Sequence, residues 1–241
     1  MRGPLRWVFW DVKDTLLKVR RSVGEQYGAE ARRLGLSLPA PQVEEAFRKA
    51  YRQYAQLYPN YGSAQGMGGQ AWWEGVVRNT FTQCGVQDPA TLDSLAHNLY
   101  HNFKSPENWE VFPDSKPTLK ACVSLGLKLA VVSNFDNRLE GILRGCDLLS
   151  HFTLLITSES AGVAKPDPAI FTKALRQSGV PPTSVAHVGD HYLNDYLASR
   201  SLGIHGYLLN RLGRDGHPEV PPRHVLQRLD ELPARLKQHM D

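Results

Sequence analysis

Cysteine is scarce: Cys84, Cys122 and Cys146 are the three in 241 residues, an odd number with no C-x-x-C pair. That excludes a disulfide framework and a cysteine-held zinc site, and it suits a reducing compartment. No apolar run approaches the roughly 18 residues of a membrane span. The opening Met1-Arg2-Gly3-Pro4-Leu5-Arg6-Trp7 is basic and then briefly apolar, but Asp11 and Lys13 interrupt it, so it is not read as a secretory signal. Internal repeats and low-complexity tracts are lacking, which excludes solenoid and disordered classes. Charge of one sign is only slightly in excess, at +4 with a pI near 9.0, too little by itself to imply a nucleic-acid partner. The expectation is an intracellular, cytoplasmic, non-secreted monomer with neither nucleic acid nor membrane as partner.

What is present is ordinary globular composition, 41% hydrophobic and 22% charged, on a chain long enough for one large or two smaller domains. Trp7-Val8-Phe9-Trp10 reads as a short buried strand ending at Asp11. Val43, Phe47, Tyr51, Tyr54 and Tyr58 then recur at helical spacing, as do Trp72, Trp73, Val76, Val77, Phe81 and Cys84, and again Leu92, Leu95, Leu99, Tyr100 and Phe103. Residues 18–105 therefore read as a helical block with no clear strand. From Pro106 strands alternate with helices: 127–132, 152–156, 185–188 and 204–209 as strands, and segments near 137–146, 168–178 and 193–200 as helices. That alternation predicts an α/β fold with a parallel sheet covered on both faces. The predicted organisation is a core of residues 1–17 and 106–241 into which a helical domain, 18–105, is inserted. The end of the chain reads as a loop around Pro218–Pro222 and one terminal helix.

Open parallel sheets bind ligands outside the carboxyl ends of their strands. Asp11 follows the first strand, Ser133-Asn134 the second, and Gly189-Asp190 the strand at 185–188, with Asp195 five residues on. Asp11, Asp190 and Asp195 crowded at one edge would repel one another unless a cation lay among them. A few hard oxygen ligands suit Mg²⁺ holding waters and a phosphate. Lys165, before Pro166-Asp167-Pro168, and the Ser133 hydroxyl suit the remaining phosphate oxygens. A carboxylate in such a place can act as a nucleophile on phosphorus.

Trp10-Asp11-Val12-Lys13-Asp14-Thr15-Leu16, Val132-Ser133-Asn134, Lys165-Pro166-Asp167-Pro168 and Val188-Gly189-Asp190 with Asp195 resemble, in order and spacing, the four motifs of the haloacid dehalogenase (HAD) hydrolase superfamily. The insert directly after the first motif resembles that superfamily's C1-type helical cap, and the core its Rossmann-like sheet. The resemblance implies Asp11 as nucleophile and Mg²⁺ ligand, with the Lys13 carbonyl and Asp190 as further ligands. Ser133 and Asn134 would bind the phosphate. Lys165 would neutralise the transferring group, and Asp195 would orient Lys165 or hold the metal through water. The implied activity is hydrolysis of a small phosphorylated metabolite through an aspartyl-phosphate.

One position departs from the pattern. Where the superfamily's phosphatases carry a second acid/base aspartate this chain has Lys13, and the usual glycine after it is Asp14. An ordinary lysine has a pKa of ~10.4, so about one in a few thousand is a free base at pH 7. Lys13 could donate a proton but would be a poor base for the second half-reaction. An ammonium–carboxylate pair at ~4 Å is worth up to about 4 kcal/mol at an effective dielectric near 20, so Lys13 would also replace part of what Mg²⁺ supplies. Two alternatives follow: a catalytically weak or inactive binding protein on the same fold, and a metal-independent 2-haloacid dehalogenase, against which Asp190 and Asp195 argue. His97 and His101 have metal-pair spacing without a third ligand and read as a solvated face. The aromatic stripes read as core, and Gly-rich 60–69 as a connection without a phosphate-loop pattern.

Overall fold

The computed structural model describes residues 4–211, 213 and 217–239; Met1–Gly3 lie outside them. Trp7–Trp10 forms β1, every residue buried. A parallel strand covered on both faces needs such a continuous apolar run, since neither side meets water. The chain continues through β2 (Leu17–Val19), α1 (Val23–Arg33), α2 (Ala40–Leu57), α3 (Pro59–Gly62), α4 (Gly69–Gln83), α5 (Pro89–Asn102) and β3 (Trp109–Val111). Then follow α6 (Ser115–Ser124), β4 (Lys128–Ser133), α7 (Leu139–Gly145), β5 (Leu154–Thr157), α8 (Ser158–Ala161), α9 (Ala169–Ser178) and β6 (Val185–Gly189). A π-helical turn at Tyr192–Leu197, α10 (Ala198–Arg200), β7 (His205–Leu209), β8 (Val225–Leu226) and α11 (Leu232–Lys237) complete it.

Six strands make one parallel sheet in the order β5-β4-β1-β6-β7-β8. The chain runs outward from β1 through β4 to β5, then returns to the other side of β1 for β6. The reversal of strand order therefore falls at β1, flanked by β4 and β6. The crevice of a doubly wound sheet opens at that point. Register aligns the three strand ends: Trp10 lies opposite Val131 in β4 and Val188 in β6. Trp7, Phe9, Val132, Ile156, Ile170 and Phe171 pack one face of this sheet.

The chain divides into two compact units: residues 1–18, 111–135 and 146–241 hold the sheet, and residues 19–110 with 136–145 hold most of the helices. In the helical unit, Tyr27, Val43, Val77, Phe81, Leu95 and Leu99 form the core, with Tyr27 stacked on Phe81 at 5.9 Å. Residues 136–145 join this unit through a buried ion pair. Arg138 grips Asp136 with Nε at 2.8 Å and Nη2 at 2.6 Å, Trp73 Nε1 donates to Asp136 at 2.7 Å, and the guanidinium lies 4.4 Å from the Tyr100 ring centre.

The periodic helices and the five long apolar runs lie where their patterns predict. Short strands do not: Leu17–Val19 enters the expected helical block and pairs with Trp109–Val111, and Val225–Leu226 adds an edge strand between the expected loop around Pro218–Pro222 and the terminal helix. Strands of two or three residues are too short to show an alternation. Gly-rich 60–69 holds two short helical turns, with Asn60 and Tyr61 in the left-handed region. Tyr51, counted as an apolar-face residue, is 42% exposed. Among the described residues no helix is long and apolar enough to cross a membrane.

Candidate active site

The site grows from the turn that ends β1. The Val12 carbonyl accepts the amides of Thr15, Leu16 and Leu17, and Asp14 N donates to Leu17 O at 2.7 Å. This tight turn needs a left-handed residue at position 14, where φ is +62°. Aspartate is among the few non-glycine residues that tolerate that conformation, which explains how Asp14 stands in a glycine's place. No hydrogen bond of the turn uses the Lys13 carbonyl.

Asp11, 7% exposed, leaves β1 toward the crevice. Its Oδ1 accepts from Ser133 Oγ at 2.9 Å and Lys165 Nζ at 2.7 Å, while among the described residues Oδ2 has only a long contact, 3.4 Å, from Thr15 Oγ1. One carboxylate oxygen is thus held and the other left for chemistry. Lys165 is buried and also reaches Asp195 Oδ1 at 2.6 Å and Val132 O at 3.0 Å. Its backbone is fixed by Asn134, whose side-chain amide accepts from Lys165 N and donates to Lys165 O, both at 2.8 Å. Asn134 therefore supports Lys165, with both amide atoms engaged.

Asp195 lies on the π-helical turn and is 1% exposed. Oδ1 meets Lys165 and His187 Nε2 (2.9 Å); Oδ2 accepts from His191 N at 3.0 Å. Both oxygens are occupied by protein donors. Gly189 is what lets Asp195 approach, because a β-carbon there would sit 2.1 Å from its Cγ. His187, fully buried in β6, is held neutral by desolvation, which pushes its pKa down against the pull of Asp195. Its Nε2 then carries the hydrogen donated to Asp195. Asp190 follows β6, and its Oδ1 accepts from Thr15 Oγ1 at 3.1 Å.

Electrostatics separate these groups. Burial would lower the Lys165 pKa, but Asp11 and Asp195 outweigh it and push it up to about 12. Burial would raise Asp195, but Lys165 and His187 hold it well below the usual carboxylate range. Among the described residues Asp190 has no cation bonded to it: burial, then Asp11, Asp195 and Asp14, raise it to about 7. Lys13 is half exposed and bonded to Asp14 at 2.5 Å. Partial desolvation opposes its charge, yet Asp14, Asp190 and Asp11 prevail and raise its pKa. A carboxylate oxygen from each of Asp11, Asp190 and Asp195 lies within 4.8 Å of the others. With Asp14 they make four carboxylates against two ammonium groups, a balance that one divalent cation would neutralise. The hard-oxygen donor set, the raised Asp190 and the uncommitted Lys13 carbonyl all fit Mg²⁺.

Every residue singled out in the sequence converges here: Asp11, Lys13, Ser133, Asn134, Lys165, Asp190 and Asp195. Thr15 and His187 join them without having been given a role. The signal for His187 was available as a polar residue inside the apolar run Val185-Ala186-His187-Val188.

This fold and constellation define the class of the protein. The family model described as haloacid dehalogenase-like hydrolase matches residues 5–203, and the chain belongs to that family. It is 69% identical over 242 residues to haloacid dehalogenase-like hydrolase domain-containing protein 3 of Danio rerio, covering 100% of each chain. It is 28% identical to a phosphoserine phosphatase of Thermus thermophilus, over 90% of this chain and 94% of that one. Among solved structures, the 2-haloacid dehalogenase of Pseudomonas syringae is similar in fold, with a TM-score of 0.71 at 22% identity, over 97% of this chain and 99% of that one.

Proposed function

We propose that this chain is a Mg²⁺-dependent phosphatase of a small phosphorylated metabolite, acting through an aspartyl-phosphate on Asp11, with its acid–base step altered by Lys13. The helical unit is assigned the part of a cap. The observation that carries the reading is the asymmetry of Asp11: Ser133 and Lys165 hold Oδ1 and leave Oδ2 without a close donor. Oδ2 attacks phosphorus, the phosphorus–ester oxygen bond breaks, and the leaving alkoxide takes a proton. Lys165, held charged, and Ser133 offset the charge on the phosphoryl oxygens. Mg²⁺, for which the side chains of Asp11 and Asp190 and the Lys13 carbonyl would be ligands and Asp195 a ligand through water, would supply further charge neutralisation.

Lys13 is a competent acid for the leaving oxygen. It is a poor base for the water that must then release phosphate, because its raised pKa leaves almost none unprotonated at pH 7. The first half-reaction should therefore outrun the second. The acidic cluster favours this chemistry over metal-free dehalogenation, since Asp190 raised to about 7 marks negative charge that only a proton or a cation relieves. The Lys13–Asp14 ion pair favours a second reading, a protein that keeps the phosphate site for binding and has lost turnover.

A panel of phosphate esters, with and without Mg²⁺, tests both. The phosphatase reading expects metal-dependent turnover, a burst of alcohol ahead of phosphate, and loss of both in Asp11→Asn. Activity absent from the native chain and gained in Lys13→Asp would favour the binding protein.

A further inference from the structure

We infer that Arg211, clamped by Asp114, is a positioning residue for the acidic pair Asp11–Asp190, acting through Thr15; as a statement about catalysis this rests on the phosphatase reading above. The turn after β1 places Thr15 at the centre of the site, fully buried, with its hydroxyl 3.1 Å from Asp190 and 3.4 Å from Asp11. A hydroxyl has one hydrogen to donate, so its direction matters, and that direction follows the backbone of Thr15. The Thr15 carbonyl has no strand partner. It accepts instead from Arg211 Nη2 at 2.8 Å.

Arg211 is itself tightly held. Nη1 meets Asp114 Oδ2 at 2.8 Å, Nη2 meets Asp114 Oδ1 at 3.0 Å, and the guanidinium lies 4.0 Å from the Phe112 ring centre. Asp114 is 9% exposed and also accepts from Leu229 N at 2.9 Å. Burial raises the Asp114 pKa, but the Arg211 hydrogen bonds and the Leu229 amide outweigh it and keep the carboxylate ionised. The next carbonyl, Leu16 O, is held by Ser115 Oγ at 2.7 Å and Phe112 N at 3.1 Å. The backbone beside the nucleophile is thus pinned from residues 112–115 and from the end of β7. A planar fork can serve Asp114 at two points and the Thr15 carbonyl at once, whereas a lysine offers a single point charge.

The consequence is reach without contact. Arg211 touches neither Asp11 nor Asp190, yet it sets the residue that spans them. Partners of this kind typically change metal affinity by 10–100-fold when removed. Mg²⁺ binding, measured by titration calorimetry on the full chain without substrate, is the primary readout, with ester turnover alongside. Arg211→Met should weaken Mg²⁺ binding by about 10-fold or more and lower kcat more than it raises KM. Arg211→Lys should recover only part of the loss, and Arg211→Ala should regain Mg²⁺ affinity on addition of guanidinium ion. Leu95→Ala, in the core of the helical unit with Tyr27, Phe81 and Leu99, lowers stability away from this network and should leave Mg²⁺ affinity unchanged.

Native-like Mg²⁺ affinity in a folded Arg211→Met protein would overturn the inference, as would an equal loss of affinity in Leu95→Ala or absence of Mg²⁺ binding by the native chain. If the native chain binds Mg²⁺ and Arg211→Met weakens it, but no ester turns over, the positioning role stands and the phosphatase reading falls. If esters turn over while Mg²⁺ affinity is indifferent to Arg211, the phosphatase reading stands and the positioning role falls.

Discussion

Replacing Lys165 by methionine isolates the electrostatic centre of this site. The ammonium is buried and makes three contacts: Asp11 at 2.7 Å, Asp195 at 2.6 Å and the Val132 carbonyl at 3.0 Å. Methionine preserves much of the volume and none of the charge, so two carboxylates exposed by only 7% and 1% are left facing each other uncompensated. Breaking a buried pair from one side costs about 3–5 kcal/mol. For a chain of this size each kcal/mol shifts Tm by roughly 2–4 °C, which puts the loss at roughly 6–20 °C. The assay is thermal and urea unfolding in EDTA, at pH 7.5, on native protein, Lys165→Met, Asp195→Asn and the double variant. Because Lys165 and Asp195 share one network, the double variant should lose about 1–3 kcal/mol less than the two single losses combined. Mg²⁺ should restore part of the Lys165→Met loss by supplying the missing positive charge. Additivity within about 0.5 kcal/mol would refute the reasoning, for it would mean that solvent already compensates these charges.

Two further outcomes are expected. Gly189→Ala forces a methyl group to within 2.1 Å of the Asp195 carboxyl carbon, so it should cost about 1–3 kcal/mol in unfolding experiments and lower turnover by displacing Lys165. In EDTA, stability should fall as pH rises from about 4 to about 7: the native Asp190 carboxyl titrates near 7 against 3.8 in the unfolded chain, so the native state binds more protons across that window. Saturating Mg²⁺ should flatten this slope, and a chemical-denaturation series at several pH values checks both.

Much of the site is legible in the sequence alone. The runs Trp7–Trp10, Leu129–Val132 and Val185–Val188 are buried throughout, so each is apolar save for His187, and the first polar residue beyond it marks its carboxyl end. Asp11, Ser133 and Asp190 stand at those three places, and strand order alone brings them together. Arg211 was not legible in this way. It stands two residues beyond β7, after Asn210, and nothing local distinguishes it from a surface arginine; its role depends on Asp114, 97 positions away. Asp136 and Arg138 were hidden for the same reason, since their grouping with the helical unit depends on Trp73 and Tyr100 rather than on any periodicity of their own.

Local sequence thus settled the longer strands and helices, the order in which they come, and which side chains stand at the ends of those strands, because burial and helical spacing are written residue by residue. Three-dimensional packing decided the ionisation of those side chains. Asp11, Asp190 and Asp195 are the same amino acid; Lys165 and His187 hold Asp195 below the usual range, while Asp190, buried beside other carboxylates, is raised to about 7. That difference arises from distances of a few ångströms between residues up to 184 positions apart along the chain, as Asp11 and Asp195 are. Coulomb energy depends on separation in space and on the surrounding dielectric, and a sequence specifies neither until the sheet has formed.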